Sequence, residues 1–233
     1  MPPGAATGTF HLNEPEVHVE ELAIDVSEMI AAHDGMRKEY ASLPLLVKSI
    51  ADGDTERAAI VGDHIRLMDV LMTVHHNTED ELLWPLAQER APEHEAVFIM
   101  EAEHKELEDS LRRVEALTQT WQADPSATNR AQLHTELIAV EKVLLKHLGH
   151  EEKEALPLLA TVISDEEFAR FGNNVRAALT PDQRTIILGL IVEDTTPALG
   201  ASILESMPPE ARANFEIEGR PQVHAYKRRL LGN

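Results

Sequence analysis

His75-His76-Asn77-Thr78-Glu79-Asp80-Glu81-Leu82-Leu83-Trp84-Pro85-Leu86 is echoed 72 residues on by His147-Leu148-Gly149-His150-Glu151-Glu152-Lys153-Glu154-Ala155-Leu156-Pro157-Leu158. His, Glu, Pro and Leu fall at the same offsets in both copies, at zero, +4, +10 and +11. A further histidine precedes each copy, His33 by 42 residues and His104 by 43. The chain thus reads as two helical hairpins, each His … HisxxxGlu … Pro, packed as pseudo-repeats. With 29 Glu in 233 residues, chance alone supplies one or two HisxxxGlu pairs among 12 histidines; four occur, the others being His104/Glu108 and His150/Glu154. One such pair carries little weight. The duplicated block with its matched upstream histidines carries much more.

Around these blocks the chain reads as helix almost throughout. Leu22, Val26, Met29, Ile30, His33 and Tyr40 form one 3.6-period stripe, aromatics are 4%, and β-branched alternation is nearly absent. Asp52-Gly53-Asp54 ends a first helix, in which Pro44 predicts a kink. A second helix spans about Thr55 to Leu83 and stops at Pro85. Ala91-Pro92 opens a third, running to about Gln122, and Asp124-Pro125-Ser126 turns into a fourth that ends before Pro157. Four long helices with short connections predict an all-α protein built on an antiparallel up-down four-helix bundle over residues 16–163. Residues 1–15 read as a flexible arm. Ser164-x-x-Glu167 and Thr180-Pro181-x-Gln183 are capping-box starts, and Pro197 and Pro208-Pro209 are breaks, so 164–233 reads as a C-terminal helical extension packed on the bundle.

Composition narrows the function. Lys and Arg number 21 against 41 Asp and Glu, a net charge of −20, which argues against nucleic-acid or anionic-membrane partners. With no cysteine, disulfides, Cys-ligated zinc, iron–sulfur clusters and thiol catalysis are excluded. The longest apolar run, Ile186–Val192, is far short of the ~20 residues of a membrane span. No Lys or Arg precedes Arg37 and no apolar segment follows the start, so no secretory signal is read and a cytoplasmic location is expected.

Positions i and i+4 share one helix face, about one turn apart. An imidazole nitrogen and a carboxylate oxygen on that face reach the same small volume of a bundle interior. The two hairpins together bring four histidines and two glutamates there, and each carboxylate has two oxygens with which to bridge a pair of metal ions. Imidazole with carboxylate suits iron, zinc or manganese, and the residues alone leave that choice open. Without metal, burying these groups unpaired costs several kcal/mol each, unless they lie on solvated faces of an acidic bundle. His150/Glu154 lies off the stripe of His147/Glu151 and reads as surface.

His33, His75-x-x-x-Glu79, His104 and His147-x-x-x-Glu151, on four consecutive helices, resemble the hemerythrin-like (HHE cation-binding) family over about residues 18–160. The resemblance implies a non-haem centre of two iron ions joined by an oxo or hydroxo bridge. His33 and His75 would serve one iron and His104 and His147 the other, with Glu79 and Glu151 bridging. The family's oxygen carriers have two histidines at i and i+4 on the third helix, where His104 is followed by Glu108. They also use HisxxxxAsp on the last helix, where this chain has His147xxxGlu151. A histidine-poorer, more anionic site is therefore expected, favouring the ferric state and weighing against reversible O₂ carriage. Glu108 and Tyr40, seven residues after His33 on the same face, are the candidates for an additional ligand or neighbour of the metal. Met29, Met36, Met68, Met72 and Met100 read as bundle filler, with a gas or peroxide pocket as the alternative. His64 reads as structural.

The expected function is reaction with a small oxidant (H₂O₂, O₂ or NO), with peroxide disproportionation foremost and NO or peroxide detoxification beside it. An O₂ or NO sensor or carrier without turnover is the alternative. Iron storage is weakly supported, because ferritin-like sites need Glu-x-x-His on two helices and the sequence offers only Glu101-x-x-His104.

Overall fold

A computed structural model of the protein describes residues 24–232; the arm expected over 1–15 and Leu22 of the first stripe lie outside the described residues. Four rods, α1 (Ser27–Ser49), α2 (Thr55–Leu82), α4 (Glu95–Ala123) and α5 (Ala127–His150), are joined by short connections, one of them carrying α3 (Trp84–Arg90). α1 touches α2, α2 touches α4, α4 touches α5 and α5 returns to α1, which closes the antiparallel bundle. Local chemistry places the ends. Asp54 accepts a hydrogen bond from the Arg57 backbone N–H at 3.0 Å to start α2, and Ser126 caps α5. His94 caps α4 through its Nδ1, so the third rod starts at Glu95 and leaves Ala91-Pro92 in a turn. Pro44 is absorbed inside α1, which runs unbroken to Ser49.

Each repeat ends alike. Pro85 does stop α2, but a new short helix begins there with the proline in its first turn, where a missing N–H costs nothing. Pro157 does the same for α6 (Leu156–Val162), and α3 and α6 pack on each other. Between α5 and α6 the fourth helix relaxes into one π-helical turn, Glu151–Ala155, where an unbroken α-helix was expected. Such turns insert one residue into the helical ladder and re-aim the side chains at that point.

Two apolar layers flank this end of the bundle. One holds Met36, Tyr40, Met68, Met72, Leu107, Leu144 and Leu148; the other holds Met29, Leu83, Trp84, Met100, Ala155, Leu156, Leu159 and Phe171. All five methionines expected as filler are buried in these two layers. The residues that lie between them along the helices are His33, His75, His76, Glu79, His104, His147 and Glu151.

Both C-terminal capping boxes form, starting α7 (Asp165–Ala178) and α8 (Pro181–Asp194). α9 (Pro197–Ser206) and α10 (Pro209–Asn214) follow, each opened by a proline that also ends the element before it. A second π turn, Phe215–Gly219, leads into α11 (Arg220–Leu231). α7 packs on α2, α8 on α1, and α11 on both α2 and α8. His64 fastens this seam: its Nδ1 meets the Tyr226 hydroxyl at 2.8 Å and its Nε2 lies 3.0 Å from Glu39. That is the structural role read for it. No described helix is long and apolar enough to cross a membrane.

α8 and α11 meet where Gly189 has no side chain; a Cβ there would lie 2.3 Å from Cγ2 of the buried Val223. Gly189→Ala is therefore expected to cost about 1–3 kcal/mol by overpacking. Val223→Ala in the same chain should recover part of the loss, read from urea unfolding of the single and double variants.

Candidate metal centre

The bundle topology brings donors from all four rods to one end: the first half of α1, the last part of α2, the first third of α4 and the end of α5. Two groups form there, each with its donor atoms within 4.8 Å of one another. His33, His75, Glu79 and Glu151 make one, and His76, His104 and His147 the other. Every residue of both is buried. The glutamates stand between the groups. Glu79 Oε1 is 3.0 Å from His75 Nε2 and its Oε2 is 3.4 Å from His104 Nε2. Glu151 Oε2 lies 3.4 Å from His33 Nε2 and 3.5 Å from His147 Nε2. In the second group the three imidazole rings lie 4.5, 4.7 and 4.8 Å apart, centre to centre.

The six residues singled out by the duplicated pattern are thus assembled together, and a seventh joins them. His76 was visible in the sequence only as the second residue of a His-His pair. Adjacent helical residues point about 100° apart, and here the end of α2 lies between α1 and α4, so His75 faces one group and His76 the other. The signal was the missing second histidine on the third helix: that imidazole comes from α2 instead. The expectation of a histidine-poor site is corrected accordingly, to five imidazoles and two carboxylates.

Tyr40 and Glu108 stand apart from both groups. The Tyr40 hydroxyl donates to Asp69 Oδ1 at 2.9 Å within the apolar layer below the site, one reason being the ~10.5 Å rise that separates it from His33. Glu108 is exposed on α4 and pairs with Arg112 one turn on. His150 is likewise outside the groups, and Glu154 is an exposed partner of Lys153.

A second ring of carboxylates, unforeseen from the sequence, surrounds the histidines. His33 Nδ1 donates to Glu152 Oε1 at 2.9 Å, and Arg37 holds the other oxygen of that carboxylate at 2.7 Å. His104 Nδ1 donates to Asp80 Oδ1 at 2.7 Å. His147 Nδ1 faces Glu103 Oε2 at 3.5 Å, and His150 and Lys146 hold Oε1 of Glu103 at 2.7 and 3.0 Å. Burial alone would raise the Glu103 carboxyl, but the facing His147 ring and the close contacts from Lys146 and His150 outweigh it and hold Glu103 down to about 2. A proton fixed on Nδ1 of His33 and His104 leaves the Nε2 lone pair of those rings for the interior, as metal-ligating histidines require.

These residues fit a metal pair. Nε2 of His76, His104 and His147 and all four carboxylate oxygens of Glu79 and Glu151 are buried with no hydrogen-bond partner. His33 Nε2 and His75 Nε2 face each other at 3.3 Å. With the His33 proton on Nδ1, that contact joins a lone pair to a second ring nitrogen, and it matches the ~3 Å between nitrogens bound at about 2.1 Å to one ion. Electrostatics tell the same story. Burial pushes the Glu79 carboxyl up to about 8, and burial plus the facing Glu79 drive Glu151 upward. Burial brings His75 down to about 3 and His147 to about 4, and lowers His76 as well. Buried carboxyls held protonated in this way take up a cation in exchange for their protons.

The family model described as the hemerythrin HHE cation-binding domain matches residues 24–159. The chain belongs to that family. None of the curated proteins and none of the solved structures matches it. The matched region of this hemerythrin-like chain ends inside α6, so it contains all seven residues of the two groups and none of α7 to α11.

The metal-free protein should show the burial of Glu79 in its pH dependence. Glu79 keeps a proton in the folded state up to about pH 8 and loses it near its ordinary 4.5 when unfolded. Across that interval the folded state holds the extra proton, so stability falls as pH rises. His75, neutral when folded and titrating near 6.5 when unfolded, opposes this only below about 6.5. The thermal midpoint of the metal-free protein is therefore expected to fall from about pH 6.5 to about pH 8, and metal loading should flatten the decline. Calorimetry on both forms measures it; a metal-free midpoint that rises over this range contradicts the assignment.

Proposed function

We propose that this hemerythrin-like domain holds two iron ions and consumes small oxidants, with disproportionation of H₂O₂ as its principal activity. His33 and His75 would hold one ion, His76, His104 and His147 the other, and Glu79 and Glu151 would bridge them. The observation that carries the proposal is the buried donor set of five imidazoles and two carboxylates, arranged as two unequal groups, in which Nε2 of His76, His104 and His147 and all four oxygens of Glu79 and Glu151 have no hydrogen-bond partner. When bound, a pair of irons supplies the two-electron exchange that converts two H₂O₂ into two H₂O and one O₂.

The chain's own residues favour that use. Glu152, Asp80 and Glu103 place three further acidic side chains behind His33, His104 and His147. Together with Glu79 and Glu151 they surround the centre with negative potential, which stabilises higher positive charge on whatever cations it holds. The apolar layers of Met, Leu, Val and Trp on either side exclude bulk water from the donors. The two-histidine group has one imidazole fewer than its neighbour and so leaves more room for an incoming small molecule.

The fifth imidazole, His76, favours a second reading. A histidine-rich centre suits reversible binding of O₂ or NO, and the C-terminal helices would then serve as the output surface. The two readings separate experimentally. Purified protein reconstituted with ferrous iron is expected to carry two irons per chain, falling to one or none in His76→Ala and in His147→Ala. On adding H₂O₂ it should release O₂ well above an equal amount of free iron, followed with an oxygen electrode. Two irons per chain with no O₂ release, but a spectrum that reverses on aeration and degassing, would replace turnover with binding.

A further inference from the structure

The two halves of the centre are enclosed differently. In the three-histidine half, His104 and His147 each have a carboxylate behind the ring. In the two-histidine half, His33 is backed by Glu152, but His75 meets an aromatic ring. Phe171 stands edge-on to His75, ring centres 5.3 Å apart at 85°, and is itself 5% exposed. Phe168 stacks on Phe171, ring centres 6.0 Å apart. Both come from α7, beyond the region that the family model covers.

α7 packs along α2 but buries little of itself. Phe171 is its one buried residue among the described side chains, whereas α2 buries twelve. The rest of its hold is two partly buried apolar side chains, Phe168 and Val175, and surface ion pairs: Arg90 makes a bidentate pair with Glu167 at 2.7 and 2.8 Å, and Arg176 reaches Glu28 at 2.9 Å. Exposed ion pairs of this kind contribute little. An element with one buried anchor opens at lower free energy than the rods beneath it. It covers the half of the centre that is one imidazole short.

Building on the metal-centre reading above, we infer that Phe171 is the door of the two-histidine half: its ring closes the approach to His75, and its displacement admits small ligands to that half alone. The C-terminal extension is then part of the site and controls access to it.

Full-length Phe171→Ala and Phe171→Leu test this in two arms. In the first, metal-free protein is treated with diethyl pyrocarbonate and the modified histidines are read by peptide mass spectrometry, with exposed His94 as the internal standard. Labelling of His75 should rise at least tenfold in Phe171→Ala and less in Phe171→Leu, with His104 and His147 unchanged. Unchanged His75 labelling, or an equal rise at His104 and His147 that reports general loosening, would overturn the inference. In the second arm, iron-loaded protein is mixed with azide and followed optically by stopped flow. Association and dissociation rates should rise together in Phe171→Ala, at least tenfold, with little change in Kd; unchanged rates at wild-type iron content would also overturn it. Failure of the wild-type protein to take up iron would count against the di-iron proposal, while the labelling arm still decides the role of Phe171.

Discussion

Two carboxylates and five imidazoles buried together in a helical bundle are expensive, and the rest of the structure is arranged around that expense. An unpaired buried carboxylate costs several kcal/mol, and two facing each other cost more. In the metal-free chain burial drives several of these groups toward their neutral forms, Glu79 and Glu151 upward and His75, His76 and His147 downward. A cation supplies the positive charge that lets the carboxylates ionise. The apolar layers on either side hold the donors in register whether or not it is present, because their packing does not involve the polar layer. That is why the bundle is preorganised: rods rigid below and short proline-started helices closing above.

Much of this was legible in the sequence, and for definite reasons. Pro, Gly and capping residues act locally, so Asp54, Ser126, Ser164 and Thr180 announced the starts of α2, α5, α7 and α8 before any packing was known. The duplicated HisxxxGlu blocks worked because helical spacing converts directly into a shared face. What stayed hidden depends on neighbours from other helices. His76 turns inward only because α2 ends between two rods, a fact about the bundle rather than about position 76. Glu152, Asp80 and Glu103 sit immediately beside cluster residues in the chain, yet adjacent helical positions normally point away from each other's targets. They reach back to histidines on different helices.

Tyr40 shows the opposite failure. Its face was read correctly, as its burial proves, but seven residues of helical rise take it into the apolar layer, where Asp69 satisfies its hydroxyl. Periodicity gives the angle around a helix and says little about which layer along the axis a residue joins. Glu108 failed by angle: four residues from His104 it shares a stripe, but that stripe has already turned towards solvent, where Arg112 waits.

The duplication itself explains why the two groups are unequal. Under the 72-residue offset Glu79 corresponds to Glu151 and Asp80 to Glu152. The geometry respects this exchange: Glu79 spans His75 and His104, while Glu151 spans His147 and His33. Asp80 backs the histidine of the second hairpin, and Glu152 that of the first. The symmetry breaks at two places. His76 corresponds to Leu148, which packs in the apolar layer, so one half gains an imidazole that the other lacks. Glu103, just before His104, corresponds to Ala32, just before His33, so the ring of His75 has no carboxylate behind it and meets Phe171 from the C-terminal extension instead. A symmetric pair of hairpins would enclose two equal, equally filled positions. A histidine in place of the leucine, and an alanine in place of the glutamate, concentrate imidazoles in the group of His76, His104 and His147 and leave the ring of His75 in the other group against an aromatic side chain rather than a carboxylate.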